Sequence, residues 1–249
     1  MGSEGMAENM SLLIMISILS VFLIALYITV EVKGKPLFAF FFKGLASFSF
    51  ILVFSVIIGL KLSLLHDGLI NYQNLRVPVT LLILLGLISG LLGDLYLALR
   101  PLQDPKKNET IIISGIVCFS IGHLFYFSAL MLLGPLSYLS IILAVIMTLI
   151  IYLISKKLGY HMGKAVIPTF VYSALIFLMV GQALGYAIET QFSLFSLIFL
   201  AGAILFAVSD LILAPIYYAG NEKRIMVILN LSTYYLAQLF IAISILFIL

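Results

Sequence analysis

The chain consists of long apolar runs separated by short polar loops. The eight runs cover residues 10–30, 38–60, 78–99, 111–133, 136–154, 165–187, 193–216 and 225–247. About 20 apolar residues span the hydrocarbon core of a bilayer, so each run is long enough for one crossing. Backbone amides must be paired within lipid, and the alternating pattern of a barrel strand is absent, so we expect helices. The pattern predicts an all-α integral membrane protein, a bundle of eight transmembrane helices.

Composition supports this prediction and excludes several classes of protein. Of the 249 residues, 64% are hydrophobic and only 9% are charged, whereas a soluble domain carries about a quarter charged residues. The loops are short, so we predict one transmembrane domain over residues 1–249, with the lipid bilayer as its surroundings. A net charge of +3 indicates no nucleic-acid partner, and we predict no obligate protein partner.

Loop charges predict the orientation in the membrane. The loops after spans one, three, five and seven carry Lys33, Lys35, Arg100, Lys106, Lys107, Lys156, Lys157, Lys164, Lys223 and Arg224. The opposite side carries only Lys61 and Arg76. The positive-inside rule therefore predicts that the basic loops are cytoplasmic and that both termini lie outside or in a lumen. The membrane is predicted to be a plasma or inner membrane, or that of the endoplasmic reticulum.

Two spans resemble each other and indicate a possible duplication of four helices. Residues 92–98 of span three (LGDLYLA) are similar to residues 208–214 of span seven (VSDLILA). The two spans lie four apart and run in the same direction, as in a parallel repeat. Apolar helices also resemble one another by chance, so a 4+4 duplication is one of two readings.

The informative residues are ionisable groups inside the apolar runs. Asp94 and Asp210 lie near the ends of spans three and seven, both of which run toward the basic side. A charged group at the centre of a span costs roughly 2.5–3.5 kcal/mol on insertion scales, so it needs a partner or a function. Each aspartate alone could reach the interface or pair with a loop lysine. Two carboxylates at similar depth favour a shared site.

Other polar groups lie toward the same layer. Lys43 enters span two from the basic side, and Tyr234 and Gln238 share one face of span eight. His123 and Tyr126 share a face of span four. Each of these residues could also have a purely structural role. Lys43 could extend to the membrane interface, His123 could be a hydrogen-bonded packing residue, and Tyr234 could belong to an aromatic belt.

Small residues are concentrated on the two aspartate spans and favour close helix packing. They are Gly86, Gly90 and Gly93 in span three, with Gly202 and Ala203 in span seven. The pattern predicts that the two aspartate helices pack tightly against each other.

The motifs around these residues resemble the YhhN-like lysoplasmalogenase family of polytopic membrane proteins. The resemblance rests on Gly86-Leu87 through Gly93-Asp94; Gly115, Phe119, His123 and Tyr126; Gly202-Ala203, Phe206, Ser209-Asp210 and Ala214; and Ser232-Thr233-Tyr234-Tyr235 with Ala237-Gln238. One block alone is weak, but four in order at the right spacing are specific. Ser89 and Gly90 replace a Phe-Ser pair of the family, and Pro215 follows Ala214, which leaves the end of that helix uncertain.

The resemblance implies hydrolysis of the vinyl ether bond of a lysophospholipid, the lysoplasmalogen. The products would be a fatty aldehyde and glycerophosphoethanolamine or glycerophosphocholine, with no metal and no organic cofactor. This chemistry needs one protonated carboxyl and one carboxylate, as in glycoside hydrolysis, and Asp94 and Asp210 suit these roles in either order. Residues expected to bind substrate or position water are His123, Tyr126, Tyr234, Gln238 and Ser209. The headgroup phosphate would meet Lys43, which is favoured, or Lys35.

Other functions remain open at this point. A proton-coupled transporter of a small molecule or lipid also uses buried carboxylates, although no span is clearly broken in its middle. An intramembrane aspartyl protease is disfavoured, because Leu91 occupies the first glycine position of its motif. A non-catalytic lipid-binding or scaffold protein is the third alternative.

Overall fold

The protein is a bundle of eight long helices, as the sequence predicts. The computed structural model describes the backbone of residues 2–248 and the side chains of residues 10–248. The helices are α1 (Gly2–Val32), α2 (Pro36–His66), α3 (Val77–Ala98), α4 (Asn108–Met131), α5 (Tyr138–Lys157), α6 (Val166–Glu189), α7 (Leu194–Tyr218) and α8 (Arg224–Ser244). All eight are long and apolar enough to cross a bilayer, and the described residues contain no strand. The chain is therefore a multi-pass membrane protein, while its orientation remains a prediction.

Local sequence signals fix several helix ends. Pro36 occupies the first turn of α2, where its missing amide hydrogen costs nothing. Ser137 and Ser193 precede α5 and α7, and each hydroxyl accepts a hydrogen bond from an amide of the first turn. Pro215 does not end α7, which continues to Tyr218. The helix end that the sequence left uncertain thus lies three residues beyond the proline.

The helices pack in a pattern that repeats in the two halves of the chain. Neighbours along the chain form the pairs α1–α2, α3–α4, α5–α6 and α7–α8, and α2–α3 contacts match α6–α7 contacts. The contact of α4 with α6 likewise has a counterpart in the contact of α8 with α2. A parallel duplication of four helices would produce these matched pairings, although the duplication itself remains a prediction.

The prediction that the two aspartate helices pack tightly against each other is wrong. Helix α8 contacts both α3 and α7, whereas α3 and α7 share no extensive contact. The glycines of α3 face other neighbours: a Cβ on Gly90 would lie 2.5 Å from the amide of Gln238, and one on Gly93 would lie 2.7 Å from the ring of Phe119. Gly202 of α7 similarly faces Ile241 of α8. The small residues correctly predicted that these helices pack closely, but they did not predict which helix each one packs against.

Candidate active site

A cavity of about 560 Å³ lies between α1, α2, α3, α7 and α8. Its mouth is formed by the α1–α2, α3–α4 and α7–α8 connections, so it opens at the end of the bundle that carries the basic loops. Asp94 lies about one turn before the end of α3, and Asp210 about two turns before the end of α7. Both aspartates line this cavity, as do Lys43, Tyr234 and Ser209.

Asp94 is surrounded by hydrogen-bond donors. Its Oδ2 accepts hydrogen bonds of 2.6 Å from both the Ser47 hydroxyl and the Tyr234 hydroxyl. The Lys43 ammonium lies 3.5 Å from Oδ1. Asp94 is only 2% exposed, and a buried carboxylate is tolerated when it is paired and hydrogen-bonded in this way. These three donors, one of them cationic, stabilise the charged form of Asp94 and hold its carboxylate in one orientation.

A second layer of side chains holds the Tyr234 hydroxyl in place. The Gln238 amide donates a hydrogen bond of 3.2 Å to this hydroxyl, and the Tyr126 hydroxyl donates one of 2.8 Å to Gln238 Oε1. Tyr126 and Gln238 do not line the cavity. They therefore form a hydrogen-bonded chain that runs from Tyr126 of α4 through Gln238 of α8 to Tyr234, and only Tyr234 contacts Asp94. Ser47, on the other side, lies 3.1 Å from the Tyr235 hydroxyl.

Asp210 has different surroundings from Asp94. Its Oδ2 accepts a hydrogen bond of 2.6 Å from the Tyr172 hydroxyl of α6. No cationic side chain lies within ion-pair distance of it in the described part of the chain. The second oxygen, Oδ1, has no hydrogen-bond donor among the described residues, which leaves it free to carry a proton or to meet a ligand. The two carboxyl groups in this cavity therefore differ in their hydrogen-bond partners and in the charge beside them.

His123 is buried behind Tyr172 and Asp210 and does not line the cavity. It is buried against the rings of Phe206 and Tyr172, at centroid distances of 4.5 Å and 5.4 Å. Its Nδ1 lies 3.5 Å from the sulfur of Met179, and its Nε2 has no partner among the described atoms. The structure therefore brings His123 to the Tyr172 that holds Asp210, and to neither aspartate directly.

Three other predicted residues have different surroundings from those expected. Ser209 lines the cavity, but its hydroxyl bonds to Asn230 of α8 rather than to an aspartate. Lys35 precedes α2, is exposed and does not line the cavity. Lys43 does line it, yet its ammonium is directed at Asp94.

Sequence reasoning missed the charged rim of the cavity. Arg100 and Arg224 line its mouth together with Glu31 and Glu222. Arg100 lies 3.8 Å from Glu222 and stacks on the ring of Tyr217 at 4.7 Å, whereas Arg224 has no ion-pair partner among the described residues. In the sequence, Arg100 and Arg224 indicate only the orientation in the membrane, because nothing there shows that their loops meet at one opening.

The described residues contain no cluster of three or more His, Cys, Asp or Glu side chains that could hold a metal ion. The cavity therefore offers hydroxyls, one lysine and two carboxyls in its interior, with arginines and glutamates at its rim. Such a site can exchange protons with a bound molecule and can bind an anionic or zwitterionic group at its mouth.

Fold and cavity together define a polytopic helical membrane protein with two aspartates in a cavity that opens at one end of the bundle. The family model described as the YhhN family matches residues 38–245, and the chain belongs to that family. The match begins in α2 and ends just after α8, so it includes both aspartates and the residues around them. A comparison with curated proteins found no match, and neither did a comparison with solved structures.

Proposed function

We propose that this protein hydrolyses the vinyl ether bond of lysoplasmalogens. The observation that carries the proposal is the presence of two unlike carboxyl groups in one membrane-embedded cavity. Asp94 is paired with Lys43 and accepts two further hydrogen bonds, whereas Asp210 has one hydroxyl partner and no cation. Membership of the YhhN family and the resemblance of its motifs support the same chemistry.

The unlike surroundings support one assignment of the two roles that the sequence left interchangeable. Asp210, with a free oxygen and no cation beside it, is the acid, and its proton goes to the alkene carbon distal to the ether oxygen. This gives an oxocarbenium-like cation, which the Asp94 carboxylate stabilises as in glycoside hydrolysis. Water then adds to the carbon bonded to the ether oxygen, and its proton returns to Asp210. The hemiacetal releases aldehyde and alcohol as its hydroxyl proton passes to the departing glycerol oxygen.

The rim of the cavity suits a zwitterionic headgroup. Arg100 and Arg224 would meet the phosphate, because guanidinium groups bind phosphate oxygens in a bidentate manner. Glu31 and Glu222 would meet the ammonium group. Lys43 is then part of the catalytic cluster, as the partner of Asp94, and the headgroup role expected for it passes to the arginines.

The direct test is aldehyde release from a lysoplasmalogen by the purified protein in detergent. We expect Asp210→Asn to lower kcat by about 10²–10⁴-fold, because a general acid contributes that much. Asp94→Asn should be similarly impaired, while Asp67→Asn, an exposed residue after α2, is the matched control and should retain full turnover. Folding would be checked by the size-exclusion profile. Wild-type turnover in Asp210→Asn would refute the assignment.

The headgroup assignment has its own test. We expect Arg224→Gln to raise KM for the lysoplasmalogen by about tenfold to a hundredfold, since a charge-assisted hydrogen bond contributes about 1.5–3 kcal/mol. Lys223→Gln, which changes the adjacent residue outside the cavity, is the control and should leave KM unchanged. Equal effects of both changes would mean that Arg224 acts only through the general charge of the loop.

The alternative of a proton-coupled transporter predicts a different outcome. Proteoliposomes would then take up substrate in response to a proton gradient, and no aldehyde would form in detergent. Inactive but well-folded wild-type protein, tried with ethanolamine and choline headgroups, would favour that alternative.

A further inference from the structure

A second, smaller cavity of about 90 Å³ adjoins the first. It lies among α4, α6 and α7, with Ile151 of α5 and Leu97 of α3 at its margins. The two cavities share five lining residues, which are Leu97, Phe119, Asp210, Leu213 and Tyr217. Asp210 is therefore at their junction, whereas Asp94 lines only the first cavity.

The walls of the second cavity are apolar. Asp210 is the only charged residue that the described part of the chain contributes to its lining, and most of the wall is aliphatic and aromatic, as at Ile176 and Phe177. Ser173 also lines it, with a buried hydroxyl that has no hydrogen-bond partner among the described residues. Thr169 and Tyr218 also line it, but their hydroxyls are 2.6 Å apart and bond to each other. The first cavity has, by contrast, two arginines and two glutamates at its rim.

This cavity also reaches the apolar outer surface of the bundle. Leu211 of α7 belongs to its lining and is 44% exposed, on a helix that crosses the membrane. The side of the cavity beside Leu211 is therefore the side that faces the surrounding lipid. The mouth of the first cavity lies instead at the end of the bundle, among the polar connections.

We propose that the second cavity binds the first carbons of the hydrocarbon chain of a single-chain lipid whose polar headgroup occupies the first cavity. An amphiphile bound in this way places the bond between its polar and apolar parts beside Asp210. In a lysoplasmalogen this bond is the vinyl ether. The assignment of the scissile bond rests on the proposed function, whereas the chain site itself is tested separately.

The cavity acts by positioning the chain rather than by supplying affinity. A chain that leaves the bilayer for an apolar cavity exchanges one apolar environment for another, so little free energy of transfer is gained. Alignment of the distal alkene carbon with Asp210 is what the walls provide. Small displacements of a reacting group cost on the order of 10²-fold in rate, so a blocked cavity should lower kcat more than it raises KM.

The variant Ala207→Phe tests the chain site, because its ring would fill the second cavity without entering the first. The matched control is Val208→Phe, one residue further along α7, where the side chain is 38% exposed and lines neither cavity. We expect Ala207→Phe to turn over a sixteen-carbon alkenyl substrate at least about tenfold more slowly. An ethenyl analogue, whose chain ends at the alkene and does not enter the cavity, should react at nearly the wild-type rate. Equal long-chain turnover in both variants would overturn the chain site and leave the reaction standing.

A binding measurement on the wild-type protein keeps the two proposals distinguishable. The probe is a lysolipid with a saturated ether chain, which cannot be hydrolysed, carrying a diazirine on the third carbon of the chain. Photolysis and peptide mapping should label Ile176, Ala207 or Leu211, and unlabelled lysolipid should compete. Label at these residues, together with no aldehyde release from a lysoplasmalogen in the separate turnover assay, would refute the hydrolase and support the chain site. Label confined to other residues would overturn the chain site whether or not the protein is a hydrolase.

Discussion

Replacing Lys43 by methionine tests whether the lysine and Asp94 form one electrostatic unit. The Lys43 and Asp94 side chains are 9% and 3% exposed, with the ammonium 3.5 Å from Oδ1. Removing one partner of a buried ion pair costs about 3–5 kcal/mol, because it leaves the other charge uncompensated. Asp94 would keep its hydrogen bonds from Ser47 and Tyr234, so we expect a loss near the lower limit.

The expected change is large enough to measure in detergent. For a chain of this length, 1 kcal/mol shifts Tm by roughly 2–4 °C, so a loss of about 3 kcal/mol lowers Tm by about 6–12 °C. The control is Lys35→Met, which removes an exposed lysine that does not line the cavity. Aggregation-onset curves by size-exclusion chromatography would give both Tm values without a tryptophan signal, which the chain lacks.

A double variant distinguishes the stability that comes from the Lys43–Asp94 ion pair from the contribution of each side chain alone. Lys43→Met combined with Asp94→Asn removes both charges while preserving the shapes of the side chains. We expect it to be more stable than Lys43→Met alone, because no buried charge is left unpaired. If Lys43→Met lowered Tm no further than Lys35→Met, the ion pair would be energetically unimportant. Lys43 would then be available to the headgroup, as the sequence first indicated.

Two further predictions concern the supports of the two aspartates. Tyr172→Phe removes the hydroxyl that holds Asp210, and we expect kcat for aldehyde release to fall about twofold to tenfold, since one hydrogen bond contributes about 0.5–1.5 kcal/mol. An unchanged kcat would remove Tyr172 from the site. Gly90→Ala would place a methyl group 2.5 Å from the Gln238 amide, which would have to move and give up its hydrogen bond to Tyr234. We expect a destabilisation of about 1–3 kcal/mol from the lost hydrogen bond, measured as a lower Tm. Its control is Gly59→Ala, which has open space around the added methyl and should be neutral or stabilising by up to about 1 kcal/mol; equal Tm shifts would contradict the packing argument.

The sequence was sufficient to predict the fold class and to single out the two aspartates of the candidate site. Eight spans follow from hydropathy because lipid requires long apolar helices, and these spans are confirmed. Asp94 and Asp210 stand out because ionisable groups are rare in such spans, and both line one cavity. The roles predicted for them remain to be tested.

The contacts between helices could not be read from one sequence. Gly90 and Gly93 indicate close packing, but nothing in a glycine pattern says whether the neighbour is α4, α7 or α8. Tyr172 was missed because it lies in an aromatic-rich span that contains no charge, and its role depends on α6 lying beside α7. Arg224 was missed because loop residues from distant parts of the chain meet only after folding.

The junction of the two cavities at Asp210 has a consequence for the fate of the products. Under the proposed reaction, one site has two exits, one toward water at the basic end and one toward lipid beside Leu211. The glycerophosphodiester is soluble in water and leaves through the exit at the basic end. The fatty aldehyde leaves through the exit beside Leu211, on the side where its hydrocarbon chain is bound. The products would partition into separate phases, so neither would accumulate to oppose turnover. A reactive aldehyde would be delivered within the bilayer, where the enzymes that consume it would have to reach it.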